Sequence, residues 1–143
     1  MAVASGAASE PFVIARDPYK EALEYALRVF YTQRCGAPKG PTDSGTDWQD
    51  GACHLHAEQD LDCRPVLSPT TGSGRDLHGG WHDAGDYNKY VNYADDALHD
   101  LLSAYQERPE IWGDDLGIPE SGNGVPDILD EVRWELDWLQ RMQ

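Results

Sequence analysis

Residues 17–36 read DPYKEALEYALRVFYTQRCG, and the apolar residues in this stretch return at the three- and four-residue spacing of an amphipathic helix. Asp17 is a suitable helix cap, Pro18 suits the first helical position, and Gly36 is expected to end the helix. The apolar face consists of Ala22, Leu23, Ala26, Leu27 and Phe30. The stretch therefore predicts a helix that buries one side.

Two later stretches show the same helical pattern. The second helix is expected to end before Pro109, and the third to begin at Pro126 and to run to Gln143. Their predicted buried faces are Ala94, Leu98, Leu101, Leu102 and Tyr105 in the second helix, and Ile128, Leu129, Val132, Leu136 and Leu139 in the third. No stretch alternates like a strand and no internal repeat is present, so the sequence predicts an all-α fold.

The residues between the first two helices form an unusually long loop. Residues 37–81 are rich in Gly, Pro, Ser, Thr, Asp and His and show no sustained periodicity. A compact domain rarely contains so long a loop without a function, and metal ligation is one way to hold it in place. A second loop, residues 110–125, is rich in glycine and acidic residues.

Charge limits the partners of this chain. It has 143 residues, about one domain in size, and a formal charge of −15, from 11 Lys and Arg against 26 Asp and Glu. A surface this acidic repels phosphate backbones and anionic lipid headgroups, so we expect no nucleic-acid partner and no membrane partner. A neutral sugar or a cation fits better. The sequence shows neither a transmembrane stretch nor an intact signal peptide.

The densest group of reactive side chains lies in GGWHDAGDYNKY, residues 79–90. Asp83 and Asp86 are three residues apart, so in a helical turn both carboxylates project to the same side and can share a water or a cation. Trp81, Tyr87 and Tyr90 offer flat apolar faces that suit stacking on a sugar ring as substrate-binding residues. The alternative is a polar turn in which each aspartate caps a helix.

The segment GGWHDAGDYNKYV, residues 79–91, resembles the signature of glycoside hydrolase family nine, the inverting cellulases. Three other segments resemble the same family: FYTQRCG at 30–36, ACHLH at 52–56 and ESGNGVPDILDEVRWELDWLQRMQ at 120–143. The resemblance implies an (α/α)6 barrel, of which this chain supplies only the opening helices, with long metal-stabilised loops.

The same resemblance implies a domain organisation and a location. Residues 1–15 would be a lead-in to an amino-terminal immunoglobulin-like domain that is missing here. Residues 16–143 would be the amino-terminal part of a catalytic domain that is truncated at its carboxyl end. Family members are secreted, so we expect the parent protein to be extracellular.

The resemblance also implies roles for the two aspartates. Asp86 matches the general base that deprotonates the attacking water, and Asp83 matches the carboxylate that helps to hold this water. The implied activity is that of an endoglucanase, which hydrolyses β-1,4-glucosidic bonds in cellulose or related β-glucans with inversion. The general acid of the family matches no residue here, so the chain alone is expected to be inactive. The alternative is a non-catalytic, metal-stabilised helical module that binds a glycan or a cation.

A structural zinc site is predicted, because thiolate and imidazole are the ligands that zinc prefers and some family members carry a similar set. The predicted ligands are Cys35, Cys53, His54 and His82, with His56, His78 and Cys63 as substitutes. One alternative is that Cys35 is a buried free thiol and the histidines are solvated. The other is a disulfide between Cys53 and Cys63.

A calcium site is predicted in the loop before the third helix, which resembles a calcium loop of the family. Carboxylate and amide oxygens with glycine-rich turns are typical of calcium sites. The predicted ligands are Glu120, Asn123, Asp127 and Asp130. The alternative is that Asp127 lies in the first helical turn, where the helix dipole favours a negative charge without any metal.

Four tryptophans complete the candidates. Trp134 and Trp138 are four residues apart in the third helix, which predicts packing against neighbouring helices. Trp48 and Trp112 lie in loops and are better candidates for contact with a substrate.

Overall fold

The computed structural model describes residues 10–41, 47–70, 72 and 74–143. Three α-helices form its frame, and they are α1 (Lys20–Thr32), α2 (Val91–Glu107) and α3 (Asp127–Arg141). Short 3₁₀ turns occupy Asp60–Asp62 and Pro109–Ile111. Across the described ranges the chain forms isolated β-bridges but no strand, which confirms the all-α prediction. Most of the predicted lead-in, and residues 42–46, 71 and 73 of the predicted loop, lie outside the described residues.

Helix α1 is shorter than the sequence predicts. It begins at Lys20 with Tyr19 at the N-cap, and no side chain caps it. Asp17 contributes its backbone carbonyl to the Lys20 N–H at 3.0 Å, which closes a separate turn before the helix. The prediction of Asp17 as the side-chain cap and Pro18 as the first helical residue was therefore wrong. At the other end Gln33 is the C-cap, and Gly36 follows three residues later with a φ of +77°.

Helix α3 also differs from its prediction at both ends. Pro126 is the N-cap rather than the first helical residue, because its backbone has an extended ψ of 132°. The first helical residue is Asp127. The helix ends at Arg141 with Met142 as the C-cap, so it does not continue to Gln143 as predicted. Helix α2 ends at Glu107, two residues before Pro109, as expected.

The core lies where α2 and α1 pack against α3. Its buried members are Leu27 and Tyr31 from α1, Leu98 and Leu101 from α2, Ile128 and Val132 from α3, and Trp81, Leu116 and Ile118 from the loops. Ala22, Ala26, Leu102 and Leu136 were predicted to be buried and are exposed.

The segment that follows the long loop is fixed to the end of α1. The N–H of Cys35 donates to the Gly80 carbonyl and that of His82 donates to the Gln33 carbonyl, both at 2.8 Å. These two bonds pair residues 33–35 with residues 80–82 and place Asp83 beside the helix end. None of the described helices is both long and apolar enough to cross a bilayer.

Candidate active site

Asp83 and Asp86 lie on one exposed turn between the end of the long loop and the start of α2. The Asp83 N–H donates to the Asn88 carbonyl at 2.8 Å, which closes the turn. The side-chain amide of Asn88 donates to one carboxylate oxygen of Asp86 at 2.8 Å, and its backbone N–H donates to the other at 3.2 Å. The turn is not helical, because Tyr87 has a φ of +62°. Both carboxylates reach solvent, and that of Asp86 is oriented by Asn88.

The three aromatic residues of the turn have different surroundings. Trp81 packs in the core, with its ring centroid 5.0 Å from that of Phe30, so it presents little surface to a ligand. Tyr87 and Tyr90 are 60% and 38% exposed. Tyr90 also lines a cavity of about 190 Å³, together with Asp83 and Glu135. Tyr87 and Tyr90 are therefore the two aromatic residues of the turn that present surface to a sugar.

The other tryptophans follow the helical prediction in part. Trp134 and Trp138 pack inward as predicted, and their indole N–H groups donate to the carbonyls of Gly80 and Leu77, both at 3.1 Å. Trp112 packs against the core and donates to the Ala104 carbonyl at 3.2 Å, so it is less available to a substrate than predicted. Trp48 is exposed.

The structure brings together all four predicted zinc ligands. Ligand atoms of Cys35, Cys53, His54 and His82 all lie within 4.8 Å of one another. The Sγ of Cys53 lies 3.4 Å from Nε2 of His82, whose Nδ1 is 3.0 Å from the Tyr87 carbonyl. A carbonyl at Nδ1 fixes the proton there and leaves Nε2 free to bind a metal. The cluster also joins the loop to the turn of Asp86, because Tyr87 follows Asp86 directly.

The polar atoms of this cluster fit a bound cation better than an empty core. Nδ1 of His54 is buried and has no hydrogen-bond partner in the part of the chain that the structure describes, and His54 itself has a strained φ of +56°. Burial raises the pKa of the Cys35 thiol to about 12, and burial also lowers the pKa of His82. A metal ion would reverse this situation for the thiol, because a coordinating thiol loses its proton.

The substitute ligands lie elsewhere. Cys63 donates its thiol to the Gln59 carbonyl, and Nδ1 of His78 lies 2.5 Å from a carboxylate oxygen of Asp76. All three cysteines are free, so the structure contains no disulfide between Cys53 and Cys63.

The predicted calcium ligands come together only in part. Asp127 and Asp130 lie within 4.8 Å of a third carboxylate, Asp114, which the sequence analysis missed. Glu120 lies outside this group, and its carboxylate accepts from the Arg34 guanidinium at 2.9 and 3.0 Å. Asn123 directs its amide N–H groups at Asp130. The signal for Asp114 was its place in an acidic loop beside the glycines at 122 and 124, whose N–H groups donate to it at 2.6 and 2.7 Å.

The carboxylates of this acidic cluster already have hydrogen-bond partners. Asp127 accepts from the Leu116 N–H at 2.6 Å and from the Ser121 hydroxyl at 3.0 Å. Burial raises the pKa of both Asp127 and Asp130. The cluster therefore combines buried negative charge, which favours a cation, with donors that stabilise the charge without one.

Sequence reasoning also missed a group of buried charges beneath the turn. Arg34 is buried against Glu131, with nitrogen and oxygen 3.0 Å apart, and its guanidinium lies 4.6 Å from the Trp134 ring centre. Glu131 also accepts from the indole N–H of Trp81 at 3.2 Å. Glu135 accepts from the Trp81 backbone N–H at 2.7 Å. The signal was present in the spacing, because both glutamates fall among the apolar residues of α3 rather than opposite them.

The family profile of Glycosyl hydrolase family 9 matches residues 19–143. The chain belongs to this family. Endoglucanase D of Acetivibrio thermocellus is 34% identical over 146 residues, which cover 100% of this chain and 22% of that protein. The chain thus spans less than a quarter of this family 9 relative, and the resemblance drawn from the sequence is confirmed.

Solved family 9 structures share the fold. A metagenome-derived glycoside hydrolase family 9 endoglucanase is 42% identical with a TM-score of 0.73, and the match covers 87% of this chain and 22% of that one. A Zn-binding triple mutant of a family 9 endoglucanase is 37% identical with a TM-score of 0.78, covering 97% and 26%. The helices and loops described above are therefore arranged as in part of a family 9 endoglucanase.

Proposed function

We propose that this chain supplies the base side of an inverting β-1,4-glucanase, with Asp86 as general base and Asp83 as the carboxylate that holds the attacking water. The observation that carries the proposal is the exposed turn of a family 9 chain in which Asn88 orients Asp86. Each Asp86 oxygen accepts one hydrogen bond and keeps further acceptor capacity for a water. The expected substrate is cellulose or a related β-glucan.

The reaction needs two carboxyl groups on opposite sides of the bond that is cleaved. Asp86 removes a proton from a water that attacks the anomeric carbon, while a general acid protonates the oxygen of the leaving sugar. In inverting enzymes the two groups are about 6.5 to 9.5 Å apart, which leaves room for the water. We assign the general acid to another part of the complete catalytic domain, in which this chain forms opening helices of an (α/α)6 barrel.

The same proposal extends to the domain boundaries. Residues 1–15 form a lead-in to an immunoglobulin-like domain, and residues 16–143 belong to the catalytic domain. The described part of the lead-in supports a contact with another domain, because Phe12, Val13 and Ile14 are apolar and exposed. Residues of this kind are normally covered when they occur together.

Two structural metals are part of the proposal. Zinc is held by Cys35, Cys53, His54 and His82, a donor set of sulfur and nitrogen that is typical of closed structural sites. Calcium is held by Asp114, Asp127 and Asp130, an oxygen-only set that suits a hard cation. The zinc would tie the long loop to the turn of Asp86, and neither metal takes part in the reaction.

The release of reducing ends from carboxymethyl cellulose by the full-length protein tests the proposal. Asp86→Asn keeps the shape of the side chain and removes the base, so kcat is expected to fall about 10²- to 10⁴-fold with an unchanged melting temperature. Asp96→Asn, on the exposed side of α2, is the matched control and is expected to keep full activity. Equal activity of the two variants would remove Asp86 from the role. A wild-type protein that binds glycan and zinc without hydrolysis would instead support a non-catalytic module.

A further inference from the structure

The backbone that leads into the turn is held by a buried carboxylate on α3. Glu135 is 1% exposed, and its Oε2 accepts the Trp81 backbone N–H at 2.7 Å. Trp81 lies two residues before Asp83. Burying a carboxylate is unfavourable unless it is paired or hydrogen-bonded, so this contact has to offset the loss of water around Glu135.

The other end of the turn is fixed as well. The Lys89 ammonium donates to the Asp60 carboxylate at 2.5 Å and to the carbonyls of Gly79 and Leu77 at 2.8 and 3.1 Å. All three of its N–H groups are thus used, and Lys89 lies three residues after Asp86. The exposed middle of the turn is therefore held between the buried Glu135 before it and the largely buried Lys89 after it.

Glu135 differs from its neighbour Glu131, although both lie on the buried side of α3. Glu131 forms an ion pair with Arg34 and contacts Trp81 only through the indole N–H. Glu135 forms no ion pair within 4.0 Å among the described residues, and its carboxylate accepts from the backbone that leads into the turn. It also lines the cavity of about 190 Å³ that Asp83 lines. Glu131 stabilises the core, whereas Glu135 acts on the backbone next to Asp83.

We propose that Glu135 is a positioning residue for the hydrolysis: it fixes the Trp81 N–H and thereby the point from which Asp83 reaches the attacking water. This inference rests on the proposed function of Asp83 and Asp86. Glu135 does not touch the substrate. Its role is to hold the backbone so that the carboxylates of the turn are in place before the sugar arrives, because small misplacements of reacting groups slow a reaction strongly.

Two substitutions separate the hydrogen bond from packing. Glu135→Gln keeps an oxygen that can accept the Trp81 N–H, and Glu135→Leu has a similar volume but no acceptor. Burial raises the pKa of Glu135 to about 7, although the Trp81 N–H and Lys89 lower it. The protonated, uncharged form of Glu135 is therefore populated at neutral pH, and the uncharged Gln side chain resembles it. We therefore expect Gln to keep most of the wild-type kcat. Leu is expected to lower kcat up to about 10²-fold with little change in KM.

The matched control is Asp137→Leu, the same change of an acid to leucine on the exposed side of α3, with side-chain exposure of 58%. It is expected to leave kcat unchanged. If Glu135→Leu does not fold by circular dichroism, Glu135→Asp replaces it, because the shorter side chain keeps the charge but withdraws the acceptor from Trp81. Glu135→Asp is expected to lose kcat while Glu135→Gln retains it.

The outcomes separate this inference from the proposed function. Suppose that Asp86→Asn abolishes activity while Glu135→Leu, or Glu135→Asp in its place, keeps the wild-type kcat. The positioning role of Glu135 is then wrong, and the assignment of Asp86 stands. Equal losses of kcat in the Gln and Leu variants would also overturn it, since a purely structural role predicts no rescue by Gln. If Asp86→Asn is fully active, the proposed function fails and the positioning role fails with it.

Discussion

The long loop and the region of α3 each lie at a group of side chains that could hold a metal, but the two groups differ in their hydrogen bonds. At the ends and in the middle of the loop, Cys35, Cys53, His54 and His82 converge, and the buried Nδ1 of His54 has no partner among the described residues. Around α3, Asp114, Asp127 and Asp130 converge equally closely, but donors from the protein already satisfy them. Asp127, for example, accepts from Leu116 and Ser121.

The difference shows that the proximity of potential ligands does not by itself determine how much a metal would stabilise the surrounding structure. The described part of the long loop contains no helix longer than the 3₁₀ turn Asp60–Asp62, so it has little other than its polar contacts to keep it ordered. The acidic cluster lies at the start of a helix that is packed into the core. A metal should therefore matter more for the order of the loop than for that of α3.

The largest effect is expected at the zinc site. Cys53→Ser removes a thiolate ligand, so bound zinc should fall from a stoichiometric amount to near zero, because serine is a poor zinc ligand. Stability should fall as well, since the binding energy of a structural zinc contributes directly to folding. Zinc content by atomic spectroscopy and a urea titration measure the two effects.

Cys63→Ser is the matched control, because Cys63 lies outside the cluster and its thiol donates to the Gln59 carbonyl. It should keep its zinc. Retention of zinc by Cys53→Ser, or equal loss in both variants, would show that the metal is not held by the predicted ligands.

A smaller effect is expected when the acidic cluster loses a carboxylate. Asp127→Ala leaves the Leu116 N–H and the Ser121 hydroxyl without their acceptor, which should lower the free energy of unfolding by about 1 to 3 kcal/mol. Because the loss comes from hydrogen bonds, it should appear with and without calcium. Urea denaturation of Asp127→Ala and of the exposed control Asp115→Ala, in calcium and in chelator, provides the measurement. A loss confined to the calcium sample would contradict this explanation.

The helices were predictable from the sequence, because each depends on a local pattern of apolar residues. The convergence of Cys35 and His82 was expected from their residue types, and the structure brings the two side chains together although they are far apart in sequence. Glu120 was not predictable in the same way. Its carboxylate is taken by Arg34, and that arginine is buried for reasons of tertiary packing against Tyr31 and Trp134 that no local pattern records.

The helix ends and the burial of Trp81 were not predictable for a related reason. Asp17 is of a residue type that often caps helices, but its backbone carbonyl closes a separate turn, and the helix begins at Lys20. Trp81 is of a residue type that often stacks on sugars, but here its ring packs against Phe30 and its indole N–H donates to Glu131. In each case a competing contact within the fold decided between two roles that the residue type allows.

The buried carboxyl group of Glu135 should make the free energy of unfolding depend on pH, without any metal. Burial raises the pKa of Glu135 from 4.5 to about 7, so between these values the folded state holds a proton that the unfolded state has lost. Stability is therefore expected to fall as pH rises from about 4.5 to about 7, with a slope of at most about 1.4 kcal/mol per pH unit from one group. Lys89 and Glu131 act on the same carboxyl, the first lowering its pKa and the second raising it.

Glu135→Gln removes this proton and should flatten the stability profile between about pH 4.5 and 7, relative to the wild type. Glu131 continues to titrate in the variant, because burial raises its pKa to about 7 as well, so the flattening should be partial. Urea midpoints at a series of pH values measure it. A variant with an unchanged slope would show that Glu135 keeps an ordinary pKa in the folded protein.

The smallest effect is expected from calcium itself. With an affinity of about 10⁻⁴ to 10⁻³ M, as in extracellular modules, about 1 mM calcium would stabilise the folded state by about 0.4 to 1.4 kcal/mol. Asp114→Asn keeps an oxygen for the N–H of only one of Gly122 and Gly124 and removes a charge from the site, so the variant should be somewhat less stable in chelator and should lose the calcium increment. Melting curves with calcium and with magnesium measure it. An increment as large as the effect of zinc would break the contrast between the two regions, because the carboxylates near α3 would then depend on a metal as much as the loop does.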